Sequence, residues 1–125
     1  MNATLLVMAG GAVGAAARYN LGRLVFHWGG TGLPFGTLIA NLLGGLLMGV
    51  LAGVLARSDF VDEPWRLLLG VGLLGGFTTF SAFSLEVLNM IERGNWGMAL
   101  GYALLSVIGS VLALFAGLMA IRAIA

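Results

Sequence analysis

The chain has 125 residues, of which 60% are hydrophobic and 9% charged, and a formal net charge of +1. A soluble domain of this length has too little interior to hide so much apolar surface, and so small a charge gives no case for nucleic acid. The absence of cysteine excludes a disulfide framework, a thiolate metal site and a cysteine nucleophile.

The sequence divides into about four apolar stretches of roughly 20 residues, each able to cross a hydrocarbon core of about 30 Å. The reading is an all-α integral membrane protein, one four-helix transmembrane domain over residues 1–125. Span 1 runs from about Thr4 to Phe26. A signal peptide needs a basic residue ahead of its apolar core. None precedes Arg18, so this stretch is read as a retained span. Span 2 runs from about Phe35 to Ala56, after the turn Gly29-Gly30-Thr31-Gly32-Leu33-Pro34. A polar connector from Arg57 to Pro64 follows, and Pro64 suits the first turn of span 3, where its missing N–H costs nothing. Span 3 runs from about Trp65 to Ile91, Glu92-Arg93-Gly94-Asn95 closes it, and span 4 runs from about Trp96 to Ile121. Trp28, Trp65 and Trp96 all fall at span ends, where an amphipathic indole sits best.

Glycines recur at four-residue spacing: Gly10 and Gly14; Gly45, Gly49 and Gly53; Gly72 and Gly76; Gly97 and Gly101. Such stripes let helix backbones approach closely in lipid, and they are read as packing surfaces. Span 3 departs from this pattern at Gly75-Gly76-Phe77-Thr78-Thr79-Phe80-Ser81-Ala82-Phe83-Ser84. Two glycines, a hydroxyl cluster and three phenylalanines there predict a break in the helix. Backbone that leaves the helix inside a bilayer survives only within protein or against a wet path. A break at this position therefore points to an ion or substrate site.

The break's side chains indicate the ion. Thr78, Thr79, Ser81 and Ser84 offer hydroxyl donors, and Phe80 and Phe83, three apart, share a face once the helix resumes. A ring edge is positive, and the resumed helix aims free N–H groups at the break. The half helix before it ends in carbonyls, which suit a small cation such as Na⁺. Asn41 lies mid-span 2 with Thr37 one turn before it; its amide is either interhelical glue or a donor lining a path. Tyr102, Ser106 and Ser110 make a hydroxyl stripe on span 4, although serines often bond their own i−4 carbonyl. Glu86 is either an ion-path acid or an anchor near an interface, where an arginine is its natural partner. No ring of acids and no mid-depth base is present, so the donors favour a small, strongly hydrated anion.

The same residues resemble a known family. The 75–84 motif, with Gly36-Thr37 and Asn41-Leu42-Leu43-Gly44-Gly45 upstream and Arg93-Gly94 downstream, is similar to the Fluc (CrcB) fluoride channels over nearly the whole chain. The resemblance implies a passive fluoride-selective channel that lowers cytoplasmic fluoride from within a bacterial-type inner membrane. It implies a dual-topology antiparallel homodimer with two pores, embedded in membrane lipid. It places Phe80, Phe83, Asn41, Tyr102 and Ser106 on the fluoride path, with Ser81 and Ser84 of the motif beside them. It also implies a structural Na⁺ at the dimer centre, held by backbone carbonyls of Gly75 and Thr78. One position departs from the family pattern, which usually has threonine where this chain has Ala82.

Two other classes compete. A small proton-coupled multidrug-type transporter shares the size and dual topology but needs an acid in its first helix, and span 1 has no Asp or Glu. A non-conducting subunit held by its glycine stripes leaves the hydroxyl and phenylalanine cluster without a role. One histidine, no cysteine and no paired carboxylates at depth argue against an enzyme.

With four spans, Arg57, Arg66 and Arg122 lie on one side and Arg18, Arg23 and Arg93 on the other. Such a balance gives no preferred orientation, which favours insertion both ways and head-to-tail pairing. Accessibility tagging of the C-terminus is expected to find it on both sides of the membrane; a one-sided result removes the antiparallel arrangement.

Overall fold

Six α-helical segments and one π-helix account for nearly all of the backbone in the computed structural model, which describes residues 2–25, 34–57 and 63–124. Helix α1 is Ala3–Val25 and α2 is Phe35–Arg57. A single α-turn, α3 (Glu63–Trp65), contains Pro64 and leads into the π-helix Arg66–Leu74. Then come α4 (Gly75–Phe77), α5 (Ser81–Glu92) and α6 (Trp96–Ile124). Trp28, the glycine-rich turn at 29–33 and the connector at 58–62 lie outside the described residues.

Three helical stretches among the described residues are long and apolar enough to cross a membrane: Phe35–Ala56, Arg66–Glu92 and Trp96–Ile124, of 22, 27 and 29 residues. Helix α1 has 23 residues and is long enough at about 1.5 Å per residue, but it carries Arg18, Asn20 and Arg23 toward its end. The outward surface is apolar. On α6 alone, Leu100, Leu104, Val107, Ile108, Val111 and Phe115 are at least half exposed. In water such a surface would aggregate; against acyl chains it costs nothing. Trp65 and Trp96 are exposed at helix ends, the position expected of interfacial indoles.

Lipid tails are as apolar as leucine, so backbone proximity must hold these helices together. The glycine stripes provide it. Helix α2 runs along α6, and α1 runs along the π-helix. A Cβ on Gly45 would stand 2.8 Å from the Ser110 carbonyl oxygen, and one on Gly53 would stand 2.8 Å from Ile121 Cβ. Between them, a Cβ on Gly49 would overlap the Leu114 carbonyl, and Gly117 meets Leu46 in the same way from the other side. On the second seam, a Cβ on Gly72 would lie 3.0 Å from Gly10 Cα, and one on Gly76 would lie 2.7 Å from the Gly11 carbonyl oxygen. Gly97 and Gly101 belong to neither seam: among the described residues nothing lies within 4 Å of a Cβ on either.

Two local features have clear causes. Helix α5 ends in a Schellman motif: Gly94, at φ 81°, donates to Ile91 O, and Asn95 donates to Met90 O. The glycine is needed because a Cβ disfavours that left-handed conformation. The π-helix is wider than an α-helix, and its i→i+5 pattern reaches Gly75, whose N–H bonds Gly70 O.

Gly49→Val is expected to force α2 from α6 and to cost about 2 kcal/mol or more. Gly97→Ala, in open space, is expected to change stability by no more than about 0.5 kcal/mol. Thermal unfolding in detergent micelles measures both; equal effects would mean that the α2–α6 seam is not set by backbone contact.

Candidate functional site

The helical hydrogen-bond ladder stops between Phe77 and Ser81. Thr78 has extended geometry, φ −85° and ψ 158°, so α4 and α5 are separate segments. Asn41 reaches across from α2 and binds both backbone groups of Thr79. Its Oδ1 accepts from Thr79 N–H at 2.9 Å, and its Nδ2 donates to Thr79 O at 3.0 Å. The side-chain amide thus stands in for a paired strand. Gly44, one turn further along α2, makes the approach possible, because a Cβ there would overlap the Thr78 methyl. Thr79 Oγ1 then accepts from Ala82 N–H at 3.2 Å, capping the start of α5 as an N-terminal threonine does.

The other hydroxyls divide into two sets. Thr78 Oγ1 donates back to Leu74 O at 3.0 Å and Ser84 Oγ to Phe80 O at 2.9 Å, so both protons are held by the chain's own carbonyls. Ser81 Oγ lies 3.5 Å from Thr79 Oγ1 at the exposed start of α5. Ser106 Oγ is buried on α6 with no hydrogen bond of good geometry, an unusual state for a hydroxyl.

The aromatic residues form a short ladder. Phe80 and Phe83 have ring centroids 5.6 Å apart at 48°, and Phe83 and Tyr102 are 5.3 Å apart at 45°. Phe80 is 75% exposed, whereas Tyr102 is 2% exposed, so the ladder runs from the outer face of α5 into the bundle. Leu38, Met90 and Ala99 pack around its inner end. Beyond Tyr102 lies Glu86. Its Oε1 accepts from the Tyr102 hydroxyl at 3.2 Å and its Oε2 from Thr37 Oγ1 at 3.1 Å. The expected arginine partner is replaced by two hydroxyls, drawn from α2 and α6.

A cleft of about 430 Å³ opens beside the interruption. Asn41, Thr79, Phe80, Phe83 and Ser106 line it, and Met48, Val111 and Leu114 give it an apolar far wall. It has polar atoms at one edge and rings at another. Among the described residues no group of three or more His, Cys, Asp or Glu side chains could hold a metal ion, so any cation here would need backbone or hydroxyl oxygens.

The fold and the cleft together define a multi-pass helical membrane protein with a polar, ring-lined site in its bundle. The chain belongs to the CrcB family: a model described as "CrcB-like protein, Camphor Resistance (CrcB)" matches residues 5–118. It is 61% identical over 123 residues to a Phenylobacterium zucineum protein named fluoride-specific ion channel FluC, covering 98% of this chain and 97% of that one. It is 54% identical over 125 residues to a protein of the same name from Caulobacter sp. strain K31, covering 99% and 98%. A third, from Caulobacter vibrioides strain NA1000, is 51% identical over 123 residues, covering 98% and 97%.

Of the residues singled out from sequence, Asn41, Phe80, Phe83 and Ser106 share the cleft, and Tyr102 stacks on Phe83 behind it. Ser81 and Ser84 sit at the start of α5, outside its lining. Thr79 was legible only as one hydroxyl among four. Its role comes from its backbone, for which a sequence carries no signal beyond the paired glycines before it. Thr37 and Tyr102 were legible as polar residues, but their convergence on Glu86 across 49 and 16 residues of chain was not.

Removing either hydroxyl from Glu86, as Thr37→Val or Tyr102→Phe, is expected to cost about 1 kcal/mol. The double variant, which leaves the carboxyl group without either donor, is expected to lose at least about 0.5 kcal/mol more than the sum. A double-mutant cycle on thermal unfolding measures this; simple additivity would mean that the two contacts act independently.

Proposed function

We propose that this protein is a passive, fluoride-selective channel of the bacterial inner membrane. The observation that carries the reading is the Phe80–Phe83–Tyr102 ladder beside a helix interruption braced by Asn41. Family membership and relatives named as fluoride-specific channels support it. Fluoride is small and tightly hydrated, so a path that selects it must replace water with donors in a narrow space. Ring edges carry partial positive charge, and amide and hydroxyl protons supply hydrogen bonds. Asn41 Nδ2 has a second proton beyond the one given to Thr79. In this reading Asn41, Phe80, Phe83, Tyr102 and Ser106 line the path, with Ser81 and Ser84 at the start of α5. The buried Ser106 hydroxyl, lacking a good protein partner, suits an anion passing the rings.

The working form is an antiparallel, dual-topology homodimer of four-span subunits, with the interruption at mid-membrane. The exposed outer face of Phe80 and the open side of the cleft are the surfaces a second copy would close. A structural Na⁺ at the centre of that dimer, on carbonyls of Gly75 and Thr78, fits the residues present. In an α-helix Gly75 O would accept from Thr79 N–H and Thr78 O from Ala82 N–H. Those two donors go instead to Asn41 Oδ1 and Thr79 Oγ1. The carbonyls are thereby released from helical pairing, the condition an oxygen ligand for a hard cation requires. Bound there, Na⁺ would supply fixed positive charge that ties the interrupted segments together. The multidrug-type alternative has no support, since α1 carries no acid.

Purified protein in liposomes is expected to release fluoride down its gradient while chloride stays trapped. Phe80→Ile or Phe83→Ile is expected to cut fluoride flux at least about tenfold, equivalent to about 1.4 kcal/mol, with the protein still folded. Equal release of both halides would falsify the selectivity, and undiminished flux in both variants would return the rings to packing.

A further inference from the structure

The brace at Thr79 has a consequence beyond holding the segment in place. Asn41 makes two hydrogen bonds to one residue, to its N–H and to its C=O. The N–H that it captures is the one that would close an α-helical turn onto Gly75 O. The Asn41 side chain and the Gly75 carbonyl therefore compete for a single proton. While Asn41 holds it, the helix cannot re-form across the interruption and the Gly75 oxygen is available. Without Asn41, the acceptor that helical geometry offers Thr79 N–H is the carbonyl four residues earlier.

Gly44 makes the arrangement specific. It lies three residues after Asn41 on the same face of α2, where a Cβ would overlap the Thr78 methyl. Asn41 fixes Thr79, and Gly44 admits Thr78 beside it. The extended conformation of Thr78 is thus held from outside its own helix by one α2 face. Thr79 Oγ1 completes the set by taking Ala82 N–H, the donor that would otherwise close onto Thr78 O.

We propose that Asn41 is a positioning residue that sets the protein's affinity for an alkali-metal cation, by holding Thr79 N–H away from the Gly75 carbonyl. The inference rests on the Gly75 and Thr78 cation site proposed above. It does not require Asn41 to touch the cation. It predicts coupling between a side chain on α2 and oxygens on the α4–α5 junction, transmitted through one shared proton.

The test is thermal unfolding of the purified protein in detergent across a Na⁺ titration, with N-methylglucamine replacing Na⁺ at constant ionic strength. The wild-type melting temperature should rise with Na⁺ and saturate. Asn41→Leu, similar in size but unable to bond Thr79, should move the Na⁺ midpoint upward by at least about tenfold. A merely structural loss lowers melting equally at all Na⁺ concentrations and leaves the midpoint in place; that result overturns the proposal. So does a wild-type melting temperature indifferent to Na⁺. If Asn41→Leu does not fold, Asn41→Ser, too short to span both Thr79 groups, takes its place with the same expected shift. Fluoride release by wild-type liposomes is read separately, so loss of the cation coupling and loss of the channel reading give different results.

Discussion

The structure depends on a single pairing problem. Residues 78–80 leave the helical ladder, and hydrocarbon offers no water to satisfy the exposed groups. Each unpaired N–H or C=O at that depth costs several kcal/mol at least on an apolar scale. Asn41 answers for both groups of Thr79, and Thr79 Oγ1 answers for Ala82 N–H. Everything functional in the reading follows from that substitution of side-chain for backbone partners. The rings of Phe80 and Phe83 stack because α5 restarts at Ser81, in a register fixed by the preceding segment.

The two glycine seams serve this arrangement. The α2–α6 seam brings Gly45 and Gly49 against the carbonyls of Ser110 and Leu114, which sets the depth of Asn41 relative to Ser106. The α1 seam presses Gly10 and Gly14 against the π-helix and Phe77 of α4. Between them the α3–α5 run is held on both sides, so the interruption need not be stable by itself. Overpacking either seam would therefore be felt at the cleft, although no glycine of either seam except Gly45 and its neighbour Gly44 borders it.

Glu86 belongs to a different part of the same design. An acid within a membrane-spanning stretch is costly unless its oxygens are hydrogen-bonded. Here Thr37 and Tyr102 provide one bond each, and Tyr102 in turn stacks on Phe83. The carboxyl group is thereby connected through one phenol to the ring ladder. Helices α2, α5 and α6 meet at this point, and the cluster of Leu38, Met90 and Ala99 seals it from the side.

Much of this was legible from residue order. Hydropathy placed α2 and α6 to within three residues at each end, since an apolar run needs no tertiary context to be recognised. The paired glycines and hydroxyls, residue types that weaken a helix by themselves, lie beside and within residues 78–80, which have no helical assignment. Gly94 marked its end for the same local reason. Partner choice was beyond the sequence. That Asn41 would bind Thr79 backbone, that Glu86 would face Thr37 and Tyr102 in place of an arginine, and that Gly97 and Gly101 would meet no close neighbour among the described residues all depend on how helices rotate about their axes. Rotation is fixed by which backbones can come closest, a sum over many contacts between residues distant in the chain. Sequence determined the elements and their weak point; only the packed structure decided which side chain would repair it.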